Sequence, residues 1–282
     1  MTTDACLSPE VKCEKTKINC KERSTGRDHI LYKYDTGRTS CTAYTWFSSL
    51  RVKGNQYKME RLFCLVVALA TCAAHIDLSG KAFIFPKETD TDHIKLLTPK
   101  TEFTALTICM RFISDQTRTY SLFSLATPTN FNAMLIYKTR FDVLRIFALD
   151  HSVEFTSLPM PENTWHSLCV TWESGDGLAQ LWIDGKPSVK KFLISGTPIR
   201  GHPITILGQE QDAHGGGFVA SQSFVGMISD LHVWDNVLSP IEVQRYMKSK
   251  QFTPGDVFNW GSLDYATTGE VFVDDDPEDQ PW

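Results

Sequence analysis

Between residues 103 and 207 apolar and polar positions alternate in short runs, the period-two signature of strands with one buried face. In Phe103–Phe112, Leu106, Ile108, Met110 and Phe112 fall on one face and Cys109 on the other. In Ser167–Trp172 the apolar face is Leu168, Val170 and Trp172, and Cys169 again lies opposite. Further runs at Ser121–Ala126, Met134–Tyr137, Leu144–Leu149, Leu178–Ile183 and Ile204–Leu207 are rich in β-branched, Leu and aromatic residues. Gly175-Asp176-Gly177 predicts a tight hairpin and Asp184-Gly185 a second turn, because Gly, Asp and Asn tolerate the positive φ needed there. Many short strands joined by turn chemistry predict an all-β protein, a two-sheet sandwich or jelly roll.

One helix breaks the pattern, near the C-terminal third. Ser239-Pro-Ile-Glu242 places Ser at N-cap, Pro at N1 and Glu at N3, a capping box with the favoured first residue. Ile241, Val243, Tyr246 and Met247 are expected to form its apolar stripe. Beyond it, Asp274–Asp279 is charged enough to predict a loose acidic tail over 274–282.

Hydropathy changes character near residue 74. Arg61 precedes Leu62–Ala74, an apolar run that ends in small residues and is shorter than the roughly 20 residues a bilayer span needs. A basic residue, a short apolar core and a small-residue exit predict a secretory signal peptide over 59–74, cleaved near Ala74, with no membrane span. Charge follows the same division: residues 1–74 carry 12 Lys+Arg against 7 Asp+Glu, and residues 75–282 carry 16 against 26. The net charge of −5 excludes a polyanion binder on charge grounds, and no nucleic-acid partner is expected. Residues 1–58 show no sustained period and no metal-binding Cys spacing, so no structure is assigned to them. We expect Met59 to be the true start and residues 1–58 an artefact of gene assignment. Were the segment made, the signal would be internal, and a cytoplasmic tail with a membrane anchor would be the alternative arrangement.

Removing residues 1–74 leaves two of the eight cysteines, Cys109 and Cys169. Two cysteines on the minor faces of two strands, in a secreted domain, argue for one bridge; two buried free thiols are the alternative. Closing a loop of about 60 residues stabilises by about 4 kcal/mol in the chain-entropy model.

The chemistry concentrates at Ile206–Gly217, where Glu210, Gln211 and Asp212 leave an apolar strand and run into three glycines. Two carboxylates one residue apart, with amide and backbone oxygens beside them, form a hard-oxygen set of the kind Ca²⁺ prefers. An ordinary polar surface loop has the same composition. Glu210-x-Asp212 also resembles the paired carboxylates of jelly-roll glycosidases, but His214 stands where a third acid belongs and the glycines put the set on a loop. None of His93, His151, His166, His202, His214 and His232 falls in a His-Glu-x-x-His pattern. No enzyme is expected.

Leu207–Asp212, Ser221–Gly226, Trp234–Pro240, Lys81–Pro86, Cys109, Cys169–Ser174, Leu181–Pro187 and Gly269–Phe272 together resemble the pentraxins, in order and with few gaps over about residues 75–273. The resemblance implies a lectin-like jelly roll with two calcium ions side by side on one face. It carries the metal role onto Glu210, Gln211 (by its backbone carbonyl), Asp212, Gln222 and Asn132. Two positions depart from it: Phe131 stands where the family has Asp, and Val219 where it has Glu. One calcium site is therefore expected and the second doubtful, since affinity follows ligand charge. Tyr137 matches the position against which choline methyls pack, and an aromatic face attracts a quaternary ammonium. The family's acidic partner for the choline nitrogen falls near Ser152.

By resemblance the protein is a secreted, extracellular recognition molecule of innate and acute-phase immunity. Its expected ligands are phosphocholine, phosphoethanolamine or microbial surface glycans. A homopentamer is implied, with complement or phagocyte receptors on the opposite face. The alternative is a calcium-independent, pentraxin-like lectin or protein-interaction module, which Phe131 and Val219 favour.

Overall fold

The computed structural model describes residues 19–25, 29–35, 40–46, 76–248 and 250–277. The chain divides into two compact units, Met1–Ala74 and His75–Trp282. In the first, to which the sequence assigned no structure, Asn19–Thr25, His29–Asp35 and Ser40–Trp46 pair antiparallel in that order. Ile30, Tyr32 and Tyr34 do alternate along the middle strand, and Gly26 and Gly37 stand between strands in the sequence. The expected leader at 59–74 lies outside the described residues.

The second unit is mostly β, with two antiparallel sheets. One has seven strands, ordered His151–Phe155, Val143–Ala148, Met134–Arg140, Tyr120–Ala126, Ile204–Leu207, His93–Leu96 and Tyr265–Thr268. The other runs Lys186–Pro187, Leu178–Ile183, His166–Glu173, Ala105–Ile113, Gly226–Trp234, Lys81–Phe85 and Phe272–Asp275, with Lys191–Phe192 and Phe258–Asn259 pairing off that path. Alternation decides what each strand buries. Leu106, Ile108 and Met110 pair with Trp172, Val170 and Leu168, and all six enter one core with Leu122, Ile136 and Ile146 of the facing sheet. No helix among the described residues is long and apolar enough to cross a membrane.

The same alternation turns Cys109 and Cys169 away from that core. They are register partners, their Cα atoms 4.1 Å apart, and they form the disulfide. The helix Pro240–Met247 contributes to the cluster around them: Val243 and Tyr246 bury with Trp182, Trp234 and Leu238. Both halves of the capping box form, Ser239 N donating to Glu242 Oε2 at 2.9 Å and Glu242 N to Ser239 Oγ at 3.4 Å. Ile241 corrects the expected stripe, since its side chain is 67% exposed. It stands about 200° around the axis from Val243, so the two cannot share a face.

Two further expectations are corrected. The acidic tail is not loose where it is described: Phe272–Asp275 extends the edge strand Lys81–Phe85. Asp276 is buried, accepting from Arg111 Nη1 at 3.0 Å and Ser229 Oγ at 2.9 Å. Charge did not prevent packing because the Asp276 Oδ2 meets two donors where it is buried. The strand expected to reach Leu149 ends at Ala148, because Leu149 and Asp150 take positive φ of 50° and 65° and form the turn.

Candidate metal and ligand site

The loop after Ile204–Leu207 is shaped by glycine. Gly208 has φ +90°, and a Cβ there would lie 2.3 Å from the Phe85 ring; at Gly217 (φ +75°) it would meet the Asp212 and Ala213 backbone at 3.0 and 2.9 Å. The loop folds back on its own sheet. Gln211, wholly buried, donates through Nε2 to Ser124 O (2.8 Å), Ser124 Oγ (3.2 Å) and Ile204 O (3.0 Å), and its Oε1 accepts from Gly215 N at 2.9 Å. The Gln211 side chain is therefore committed to anchoring. Gln209, also wholly buried, donates to Thr89 O at 2.7 Å and Asp92 O at 3.1 Å. The sequence reading missed this second anchor; its signal was an amide flanking the acidic set on the side of the apolar strand.

Between these two pinned amides Glu210 is only 5% exposed, while Asp212 is exposed. Burial first, and the charge of Asp212 second, push the Glu210 carboxyl up to about 7. Its Oε2 is buried and accepts no hydrogen bond.

Two other segments border the loop. The 3₁₀ turn Ala220–Gln222 leads into Phe224, whose N–H donates to Gly208 O at 2.9 Å. The turn Thr127–Ala133 springs from the end of Tyr120–Ala126, where Ala126 pairs with Ile204 beneath the folded-back loop. Gln222 Oε1 and Asn132 Oδ1, like Glu210 Oε2, are buried and without a donor. Orphaned buried oxygens are rare in native proteins and each needs an explanation. Among the described residues ten such side-chain oxygens occur, Gln209 Oε1 among them, and three of the ten are in residues expected to hold calcium. They are two amides and one carboxylate, all hard acceptors, and they fit a cation as their missing partner. Among the described residues no three His, Cys, Asp or Glu side chains come close enough to share an ion.

The two departures are visible. Phe131 (41% exposed) and Val219 (44% exposed) carry no side-chain oxygen, so neither side chain offers a ligand to a cation. Tyr137 is half-buried on its strand, flanked across it by Ser121 and Arg145. Arg145 is committed to Glu154, at 2.5 Å from Nη2 and 3.2 Å from Nε. A cleft of about 390 Å³ lined by Arg111, His232, Trp260 and Asp276 lies on the other sheet and touches none of these residues.

The Pentaxin family profile matches residues 81–275, which contain both cysteines, the helix and the whole Glu210 loop. The chain belongs to the Pentaxin family. It is 40% identical over 219 residues to C-reactive protein of Rattus norvegicus, covering 76% of this chain and 94% of that one. It is likewise 40% identical to serum amyloid P-component of Homo sapiens over 215 residues, 74% of this chain and 93% of that one. Among solved structures, the native heptameric SAP-like pentraxin from Limulus polyphemus superposes with a TM-score of 0.67. That match has 23% identity and spans 72% of this chain and 98% of that one, a likeness of fold alone. This pentraxin thus has the two-sheet jelly-roll sandwich and a Cys109–Cys169 disulfide, with Phe131 in the Thr127–Ala133 turn and Val219 just before the Ala220–Gln222 turn.

Proposed function

We propose that this pentraxin is a secreted, calcium-dependent recognition protein that takes phosphate-bearing or carbohydrate surface ligands. The observation that carries the reading is the trio of buried, unpartnered oxygens on Asn132, Glu210 and Gln222. Glu210 and Asp212 supply the negative charge, Gln211 its backbone carbonyl, and Asn132 and Gln222 their amide oxygens. A bound calcium ion would offer positive charge to a ligand phosphate or hydroxyl. The protein's part is to hold the oxygens in place before the ion arrives, which the buried Gln209 and Gln211 amides do. With two carboxylates, one ion is held, weakly, in the range of about 10⁻⁴–10⁻³ M common to extracellular modules. Tyr137 offers its ring to the ligand group beyond the phosphate.

Weak single sites gain from assembly, since avidity can exceed one contact by about 10²–10⁴-fold. The nine-stranded sheet suggests how copies would meet. One edge carries exposed Val189 and Phe192 among Lys186, Lys190 and Lys191, and the other carries exposed Phe272 and Val273 beside Asp274 and Asp275. Apolar contact with opposite charge suits a head-to-tail interface that closes a ring. Five subunits are expected from the family.

A second reading, a calcium-independent lectin or interaction module, has exposed Phe131 and Val219 in its favour. Immobilised phosphoethanolamine and phosphocholine separate the two. The expected result is retention in millimolar calcium and release by EDTA; retention that EDTA does not reverse selects the second reading.

A further inference from the structure

The turn that carries Asn132 lacks the family's carboxylate at position 131, yet it is held in place, and the residue that holds it comes from elsewhere. Asp150, in the hairpin turn between Val143–Ala148 and His151–Phe155, accepts from Asn132 N through Oδ1 at 3.0 Å and from Asn130 Nδ2 through Oδ2 at 2.8 Å. Its own N–H donates to Asn132 O at 3.1 Å, and Leu149 N donates to Ala133 O at 3.1 Å. The two turns are thus clasped by four hydrogen bonds. The clasp sets the main chain of Asn132 on both sides, and the Asn132 Oδ1 is buried without a hydrogen-bond partner.

The clasp is made by a two-residue hairpin loop, a turn that requires positive φ at both of its positions. Leu149 and Asp150 both sit at positive φ, which a leucine adopts only where its surroundings impose it. Asp tolerates this conformation through local hydrogen bonding, and here those bonds run to the neighbouring turn.

We propose that Asp150 is the positioning residue of the calcium site. It orients Asn132 by accepting its backbone N–H, and it places beside that turn a carboxylate that position 131 does not provide. It acts through Asn132 rather than on the ion. Hydrogen-bonded partners of metal ligands typically govern affinity by about 10–100-fold when removed. This assignment rests on the calcium reading given above.

The test is calorimetric titration of the whole protein with calcium chloride, for the wild type, Asp150→Ala and Asp150→Asn, with melting followed in EDTA. Asp150→Ala is expected to weaken calcium roughly 10–100-fold. Asp150→Asn keeps one acceptor and the tolerance for positive φ, so it should fall between the other two. Melting in EDTA should stay within a few degrees of wild type for Asp150→Asn, which separates positioning from folding. Wild-type binding with both variants within twofold of it overturns the assignment and leaves the calcium reading intact. An Asp150→Asn affinity loss matched by a comparable loss of melting temperature in EDTA also overturns it. No calcium heat from the wild type sinks the metal reading and this assignment together.

Discussion

Two regions of the sandwich treat the polar ends of their large buried side chains differently. Around Cys109–Cys169 the indole of Trp234 donates to Thr253 O at 3.1 Å and the hydroxyl of Tyr246 to Asp230 O at 2.8 Å, so large amphipathic side chains bury with their polar ends met. Around Glu210 the anchoring amides of Gln209 and Gln211 donate to main-chain carbonyls, yet oxygens on Asn132, Gln209, Glu210 and Gln222 are left unmatched. Leaving a buried acceptor unsatisfied costs about 1–3 kcal/mol, so the second region is less stable than its packing allows. One region stabilises the fold, and the other holds a binding geometry at some expense to it.

The largest effect expected from breaking this contrast is on the first region. Replacing Cys109 and Cys169 together by Ala should lower stability by about 4 kcal/mol, or roughly 8–16 °C in melting temperature for a domain of this size. Calcium affinity should change little once the protein is folded. Thermal melts and calcium titration of the double variant check both halves; a large loss of affinity in folded protein would mean that the regions are coupled.

Glu210→Gln should do the reverse. Removing one of two carboxylates is expected to weaken calcium by roughly 100-fold, since affinity follows ligand charge. In EDTA at pH 8 the variant should melt no lower than wild type, because it no longer buries a charge. The sign follows from the raised folded-state value. Glu210 holds its proton more tightly folded than unfolded, so its contribution to stability without calcium is present below the usual carboxylate range and lost as pH rises through about 7. Calcium must displace that proton, so wild-type affinity should fall about tenfold from pH 8 to pH 6, and the Glu210→Gln variant should lack the dependence.

How much of this was legible in the sequence depends on whether the cause was local. Strands such as Leu178–Ile183 and Ile204–Leu207 follow from alternation alone, and the pairing of Cys109 with Cys169 follows from two minor faces in adjacent strands. The acidic set was visible because Glu210, Gln211 and Asp212 are contiguous. Asp150 was not, because its importance comes from a turn 18 residues away, met only when two hairpins fold side by side. Asp276 was misread for a related reason: its charge argued for solvent, and its partner Arg111 lies 165 residues earlier. Ile241 was a matter of arc, since apolar character alone does not say which side of a short helix faces the sheet.

The smallest expected effect tests whether the stabilising region is as independent as this contrast implies. Ser239→Ala removes one half of the capping box, the Oγ that accepts from Glu242 N, while Pro240 still starts the helix and Glu242 can still accept from the backbone at 239. Loss of an N-cap of this kind costs about 1 kcal/mol, roughly 2–4 °C here. The helix lies over the disulfide cluster through Val243 and Tyr246, and none of its residues belongs to the candidate calcium set. Ser239→Ala should therefore shift melting by that amount equally with and without calcium. A shift present only with calcium would show that the helix and the Glu210 loop, on opposite sheets, share one cooperative element. The division between the two regions would then be wrong.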